Sequence, residues 1–219
     1  MNNHIVIIRF HYEKDSPRFQ WRFEYFKNEV LPRLLKQTDS NFDIGIRCNE
    51  WHNELFRSLH PRIIPFQINN ERVFYKKRGR GKKYFFDFCE WKDVIGLKKY
   101  DIQTGLDSDD LIADNYIETI VSEIKKFSKS NPNKSLHICF QPELFNYKTK
   151  EIYSIGQTYG PRDGSAFMSM YQPDKINYHF IYERSHHYLY QLVSSTIIIP
   201  KGYCWATVHD YNESTGKKN

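Results

Sequence analysis

The chain has 219 residues, of which 40% are hydrophobic and 26% charged, with a formal net charge of +6. That supports one well-buried domain and is short for two. It excludes a disordered chain, and no apolar run approaches the roughly 20 residues that a membrane-spanning helix needs. Met1-Asn2-Asn3-His4-Ile5 shows neither a charged start nor a cleavage site, and Cys48, Cys89, Cys139 and Cys204 form no CxxC pair, so a cytoplasmic protein with reduced thiols is expected.

Residues 4–10 (His-Ile-Val-Ile-Ile-Arg-Phe) are an apolar, β-branched run, the pattern of a strand buried on both faces of a parallel sheet. Ser16-Pro17 marks a helix start, with Ser as N-cap and Pro in the first turn. Phe19, Phe23, Phe26, Val30 and Leu34 then recur at steps of four, three, four and four, one face of an amphipathic helix. Thr38-Asp39-Ser40-Asn41 ends it. Residues 42–46 predict a second strand, 50–59 a helix and 61–66 a third strand. This alternation predicts a nucleotide-binding α/β half with right-handed crossovers.

Residues 76–83 carry Lys76, Lys77, Arg78, Arg80, Lys82 and Lys83 around Gly79 and Gly81. Such a loop is either a solvated surface or a track for a polyanion. Residues 85–97 hold Phe85, Phe88, Trp91, Val94 and Ile95 at helical spacing. Residues 100–106 predict a buried strand. A helical pattern runs from Leu111, and Ile117, Ile120, Val121, Ile124 and Phe127 share one face of a helix over 114–127. After a polar turn at 128–134 the texture changes. Residues 136–140, 144–147 and 151–155 predict short, mainly antiparallel strands, 156–164 a loop, 182–189 a short helix and 194–199 a late strand. No linker divides the chain, so a single domain over 1–219 is expected, with halves 1–110 and 111–219, the second a mixed α+β half.

Between the predicted strand and helix stands Asp107-Ser108-Asp109-Asp110. Carboxylates this close repel and raise one another's pKa. A divalent cation relieves that repulsion, and Mg²⁺ or Mn²⁺ held by one or two carboxylates commonly grips a substrate phosphate too. An EF-hand loop is excluded. Asp107, Asp109 and Glu118 fit its first, third and twelfth positions, but Leu111 takes the fifth and Ile112 the place of the turn glycine. Two readings stay open. Asp109 or Asp110 caps a helix and complements its dipole, which explains one or two carboxylates but not three. Alternatively Asp109 coordinates a metal while Asp107 meets the nucleotide ribose or the metal. Residues two apart on an extended segment point the same way.

Leu106-Asp107-Ser108-Asp109-Asp110 resembles the D-x-D motif that ends a strand in glycosyltransferases of the GT-A fold. The chain is similar in particular to rhamnosyltransferase-type sequences. The similarity continues in Arg9-Phe10 at the end of the first strand, in Leu31-Pro32 and Gln37-Thr38-Asp39 where the aromatic-rich helix ends, and in Trp205, His209 and Asn212. Thr104-Gly105-Leu106 departs from it, since an Arg is expected just before the motif. The resemblance implies a GT-A-like, Rossmann-type sheet, a nucleoside-diphosphate sugar donor and Mn²⁺ or Mg²⁺ as cofactor. It also implies His209 as a metal ligand beside Asp107 and Asp109, and imidazole suits Mn²⁺ better than Mg²⁺.

Arg9 ends the first strand, where doubly wound sheets bind ligands. His11 and Tyr12 follow as candidates to stack on a base, and Asp110 as a further donor contact. Arg18 and Arg22 face either the nucleotide or partners on a solvated helix face. An inverting transfer needs a carboxylate to take the acceptor's proton, for which Glu183 and Asp163 are candidates; a retaining transfer needs none. His186 and His187 line an acceptor region over 159–164 and 182–187. The expected protein is thus a metal-dependent hexosyl- or pentosyltransferase acting on a glycan, a lipid-linked sugar or, given the basic run, a modified base in DNA. Two rivals are a metal-dependent nuclease, which needs two metals about 4 Å apart and more ligands than the sequence offers, and a non-catalytic nucleic-acid-binding module, which leaves the acidic cluster unexplained.

Overall fold

A computed structural model of the chain describes residues 3–10, 16–67, 71–75, 84–88, 96, 99–154, 167–173, 181 and 193–209, with backbone alone at 71–75 and 84–88. Strand β1 (His4–Phe10) follows the apolar run, and all of it is buried save Arg9. Helix α1 (Pro17–Tyr25) begins as expected: Ser16 is extended and its hydroxyl accepts the Phe19 N–H at 3.1 Å. Ser16→Ala removes that bond and is expected to cost about 1 kcal/mol. The check is a lower urea midpoint at unchanged slope.

Phe26–Val30 forms one π-helical turn before α2 (Leu31–Leu35) completes the helix. The wide turn accounts for the apolar spacing. In an unbroken α-helix the step from Phe26 to Leu34 would overshoot two turns by about 80°. Here Phe19, Phe23, Phe26, Val30 and Leu34 are all buried. The chain continues through β2 (Asp43–Cys48), a short turn at Glu50–His52, α3 (Asn53–Arg57) and β3 (Ile63–Phe66).

The helical spacing read over 85–97 fails at its start. β4 (Glu71–Tyr75) and β5 (Tyr84–Phe88) form an antiparallel pair. Tyr84, Phe85, Phe86 and Phe88 are aromatic residues that favour a pleated strand, and strand pairing overrides the helical period. The basic run 76–83 lies outside the described residues, as do the loop read at 156–164 (but for its neighbours up to 154) and the helix read at 182–189.

The remaining strands are β6 (Ile102–Asp107), β7 (Leu111–Ile112), β8 (Leu136–Phe140), β9 (Glu143–Asn146), β10 (Ile152–Tyr153), β11 (Met168–Tyr171), β12 (Ser195–Ile199) and β13 (Cys204–Val208), with α4 (Tyr116–Ser130) between β7 and β8. Seven strands form the central sheet in the order β12-β8-β11-β6-β1-β2-β3. β1, β2, β3 and β6 are mutually parallel, and β11 runs antiparallel to both β6 and β8. A second sheet has the order β10-β9-β13-β7. Pairing in the second half is mostly antiparallel as read, with β12–β8 and β13–β9 as parallel exceptions.

The helical pattern read from Leu111 is also corrected. Leu111 and Ile112 pair with Trp205 and Cys204, and α4 starts only at Tyr116. Asn115 makes no side-chain cap bond there. Gln37 serves instead: its Oε1 accepts the Ile117 N–H at 2.9 Å, while its Nε2 donates to Ala113 O at 2.7 Å. Thr38 adds a backbone N–H to Asp114 O at 2.9 Å and a hydroxyl to Glu118 at 2.8 Å. An orphan N–H at a helix start is thereby satisfied from α2's far end. The Gln37-Thr38 pair holds in place the segment that leaves the acidic cluster.

Candidate active site

After β3 the chain returns to the opposite side of β1 to form β6, so the strand order reverses between β1 and β6. Ligands in open α/β sheets bind outside the carboxyl ends of strands at such a point. Arg9 and Asp107 are register partners at those ends. Arg9 Nε and Nη2 both donate to Asp107 Oδ1, at 3.1 and 2.5 Å, and each side chain is about one third exposed.

The next carboxylate is deeply placed. Asp109 is 4% exposed and Arg22 6%. Arg22 Nη1 pairs with Asp109 Oδ1 and reaches Ser108 Oγ at 3.3 Å. The other oxygen, Asp109 Oδ2, lies 2.7 Å from His209 Nε2. These residues come from three separate elements. α1 turns its Phe face to the core, presents Arg22 to the turn after β6, and presents Trp21 and Tyr25 to β13 and the residue that follows it. The Trp21 and Tyr25 rings stack at 5.1 Å, Trp21 lies 4.0 Å from the His209 ring, and the Tyr25 hydroxyl meets Thr207 Oγ1 at 3.2 Å. β13 reaches the site because it pairs with β7, the two residues that follow the cluster.

Asp110 is buried, and its carboxyl is held well above the usual carboxylate range. Desolvation is the main cause, with the charges of Asp109 and Asp107 adding to it; Arg22 and the Thr207 backbone N–H oppose it. The acidic cluster therefore divides into two guanidinium-paired carboxylates and one buried acid that resists ionisation. It sits in a turn between two strands, so it caps no helix, and that explanation of the aspartates falls away.

Of the proposed metal ligands, the structure brings Asp109 and His209 together, while Asp107 is turned towards Arg9. Among the described residues no three His, Cys, Asp or Glu side chains converge in a way that would hold a metal. Two ligands still fit Mg²⁺ or Mn²⁺, which rely on substrate phosphates and water for the rest. Asp109 Oδ2 and His209 Nε2, hydrogen-bonded to each other at 2.7 Å, would be the two side chains to hold such an ion.

His11, Tyr12, Asp163, Glu183, His186, His187 and Asn212 lie outside the described residues, as do Lys76, Lys77, Arg78, Arg80, Lys82 and Lys83. Sequence reasoning passed over Trp21, Tyr25, Ser108 and Thr207. The i, i+4 spacing of Trp21 and Tyr25, off the Phe face, was the available signal.

The family model described as "Putative rhamnosyl transferase" matches residues 6–219. Among solved structures, the crystal structure of S. aureus TarS matches with a TM-score of 0.52 at 12% identity, over 94% of this chain and 37% of that one. At this identity the likeness shows the fold alone, an α/β fold with a mixed central sheet. The chain spans 37% of the length of TarS. No curated protein matches it.

Proposed function

Because the chain belongs to the family described as "Putative rhamnosyl transferase", we propose that it moves a sugar, rhamnose first among the candidates, from a nucleoside-diphosphate donor to an acceptor hydroxyl with Mn²⁺ or Mg²⁺ present. The observation that carries the site is the meeting of Asp109 and His209, 100 residues apart in sequence, at 2.7 Å beside a strand-order reversal. Asp109 and His209 would hold the cation, and Asp107 with Arg9 would face the donor. When bound, the ion offsets the charge that builds on the departing diphosphate.

The chain's own groups do the rest. Arg9 sits at the strand end with a planar fork of donors, and that fork matches phosphate oxygens two at a time. Trp21 packs on His209 and keeps its ring from turning away. Asp110, reluctant to ionise, limits the negative charge that the site carries before donor arrives. Glu183 or Asp163 would take the acceptor's proton if the transfer inverts. The acceptor is a hydroxyl of a glycan. A modified base in DNA is a second reading, favoured by six cations within residues 76–83.

The test is release of nucleoside diphosphate from dTDP-, UDP-, GDP- and CDP-sugars with Mn²⁺, with and without chelator. Turnover with at least one donor that chelation abolishes is the expected result. Turnover indifferent to chelator would remove the metal, and no turnover with any donor would overturn the donor class. DNA binding that falls steeply with salt and vanishes on neutralising the 76–83 cations would favour the DNA acceptor.

A further inference from the structure

The two oxygens of Asp109 are divided between partners. Oδ1 belongs to Arg22, a guanidinium 6% exposed that also reaches Ser108 Oγ at 3.3 Å, and Oδ2 faces His209 Nε2 at 2.7 Å. The guanidinium is permanently charged, and its Nη1 reaches both Ser108 Oγ and Asp109 Oδ1, so it does not yield that oxygen readily. A cation entering on the His209 side therefore meets one oxygen of this carboxylate.

We propose that Arg22 is a positioning residue that confines Asp109 to one-oxygen coordination and so selects a small octahedral cation over Ca²⁺. This rests on the metal-dependent reading above. Ca²⁺ takes six to eight oxygens at about 2.3–2.6 Å and commonly uses both oxygens of a carboxylate. Mg²⁺ demands octahedral geometry at about 2.0–2.1 Å and makes do with one or two carboxylates. With Oδ1 occupied and an imidazole as the neighbouring ligand, the site offers what the smaller ion accepts and withholds what Ca²⁺ gains from bidentate contact. The guanidinium charge opposes any cation, but it opposes Mn²⁺ and Ca²⁺ alike, so the ratio of the two affinities isolates the geometric effect.

The experiment counts free Mn²⁺ by its EPR signal as the protein is titrated in the presence of UDP, GDP or dTDP, then displaces it with Ca²⁺. In Arg22→Gln the Ca²⁺/Mn²⁺ affinity ratio is expected to rise at least tenfold over the unsubstituted protein. Arg22→Met removes every donor that could hold Oδ1, and the same tenfold rise is expected. It carries the test if Arg22→Gln fails to fold by circular dichroism. Equal gains for both ions, or an unchanged ratio in the folded variants, would overturn the proposal while leaving the metal reading intact. Absence of Mn²⁺ binding to the unsubstituted protein would sink both.

Discussion

Asp109→Asn is expected to lower donor turnover by about 10²–10³-fold, the scale on which a preorganised electrostatic contact to a developing charge operates. It should also lower stability, because Arg22 then keeps its charge in a buried place without a counter-charge. Breaking one side of a buried pair costs about 3–5 kcal/mol, and at about 2–4 °C per kcal/mol in a chain of this size the melting point should fall by roughly 10 °C. Asp107→Asn provides the contrast. Its pair with Arg9 is one third exposed, where solvent screening leaves such pairs worth at most about 1 kcal/mol. It should lose turnover while melting close to the unsubstituted protein. Nucleoside-diphosphate release and a thermal melt on both variants decide the matter. An Asp109→Asn protein with full turnover would remove this carboxylate from the site.

Acidification should unfold the protein through two buried imidazoles far from the acidic cluster's chemistry. Burial lowers His4 from 6.5 to about 3 and His137 from 6.5 to about 4. His4 Nε2 bonds Thr104 Oγ1 at 2.8 Å, and that hydroxyl bonds Ser169 at 2.7 Å. Between pH 6.5 and about 4 the unfolded chain binds more protons than the folded one, so stability falls as pH falls through that window and levels off above about 7. At pH 5 each residue accounts for about 2 kcal/mol, or about 4 kcal/mol together, relative to pH 7.5. Asp110 works the other way: a carboxyl raised by burial favours the folded state as pH drops. The measurement is therefore urea unfolding at pH 7.5 and pH 5 on the unsubstituted protein and on a His4→Gln, His137→Gln double variant. The pH-dependent loss should shrink in the double variant by about that amount. An equal loss in both would show that other groups govern the acid transition.

Much of the first half was legible because its signals are local. β1 is a β-branched run and needs no partner to be recognised, and the Ser16-Pro17 start of α1 is a chemical signature. The strand end at Asp107 and the GT-A resemblance pointed to a candidate site, and the match to the family described as "Putative rhamnosyl transferase" sets the proposed glycosyltransferase ahead of the nuclease and the simple nucleic-acid binder. What stayed hidden depends on contacts between distant segments. Leu111-Ile112 carries an apolar pair that suits a helix as well as a strand, and only β13, some 90 residues on, decides between them. β11 is Met-Ser-Met-Tyr, with no β-branched residue to announce a strand, yet it lies buried between β6 and β8. The Arg22–Asp109 pairing was legible only as a choice between nucleotide and carboxylate. Helical spacing places Arg22 on a face but does not say what that face meets.

The wide turn at Phe26–Val30 has a consequence for chain length. A single π turn holds one more residue than the α-helical turn it replaces, and such turns recur near functional sites. Deleting one residue there would let the helix close into regular α geometry with both ends nearly where they were. Arg22 would still meet Asp109 and Gln37 would still reach Ala113. The stretch joining the two is thus a place where insertion and deletion leave the end of the sheet that carries the candidate site undisturbed, and members of the family one residue shorter at this point would be expected to share the same architecture.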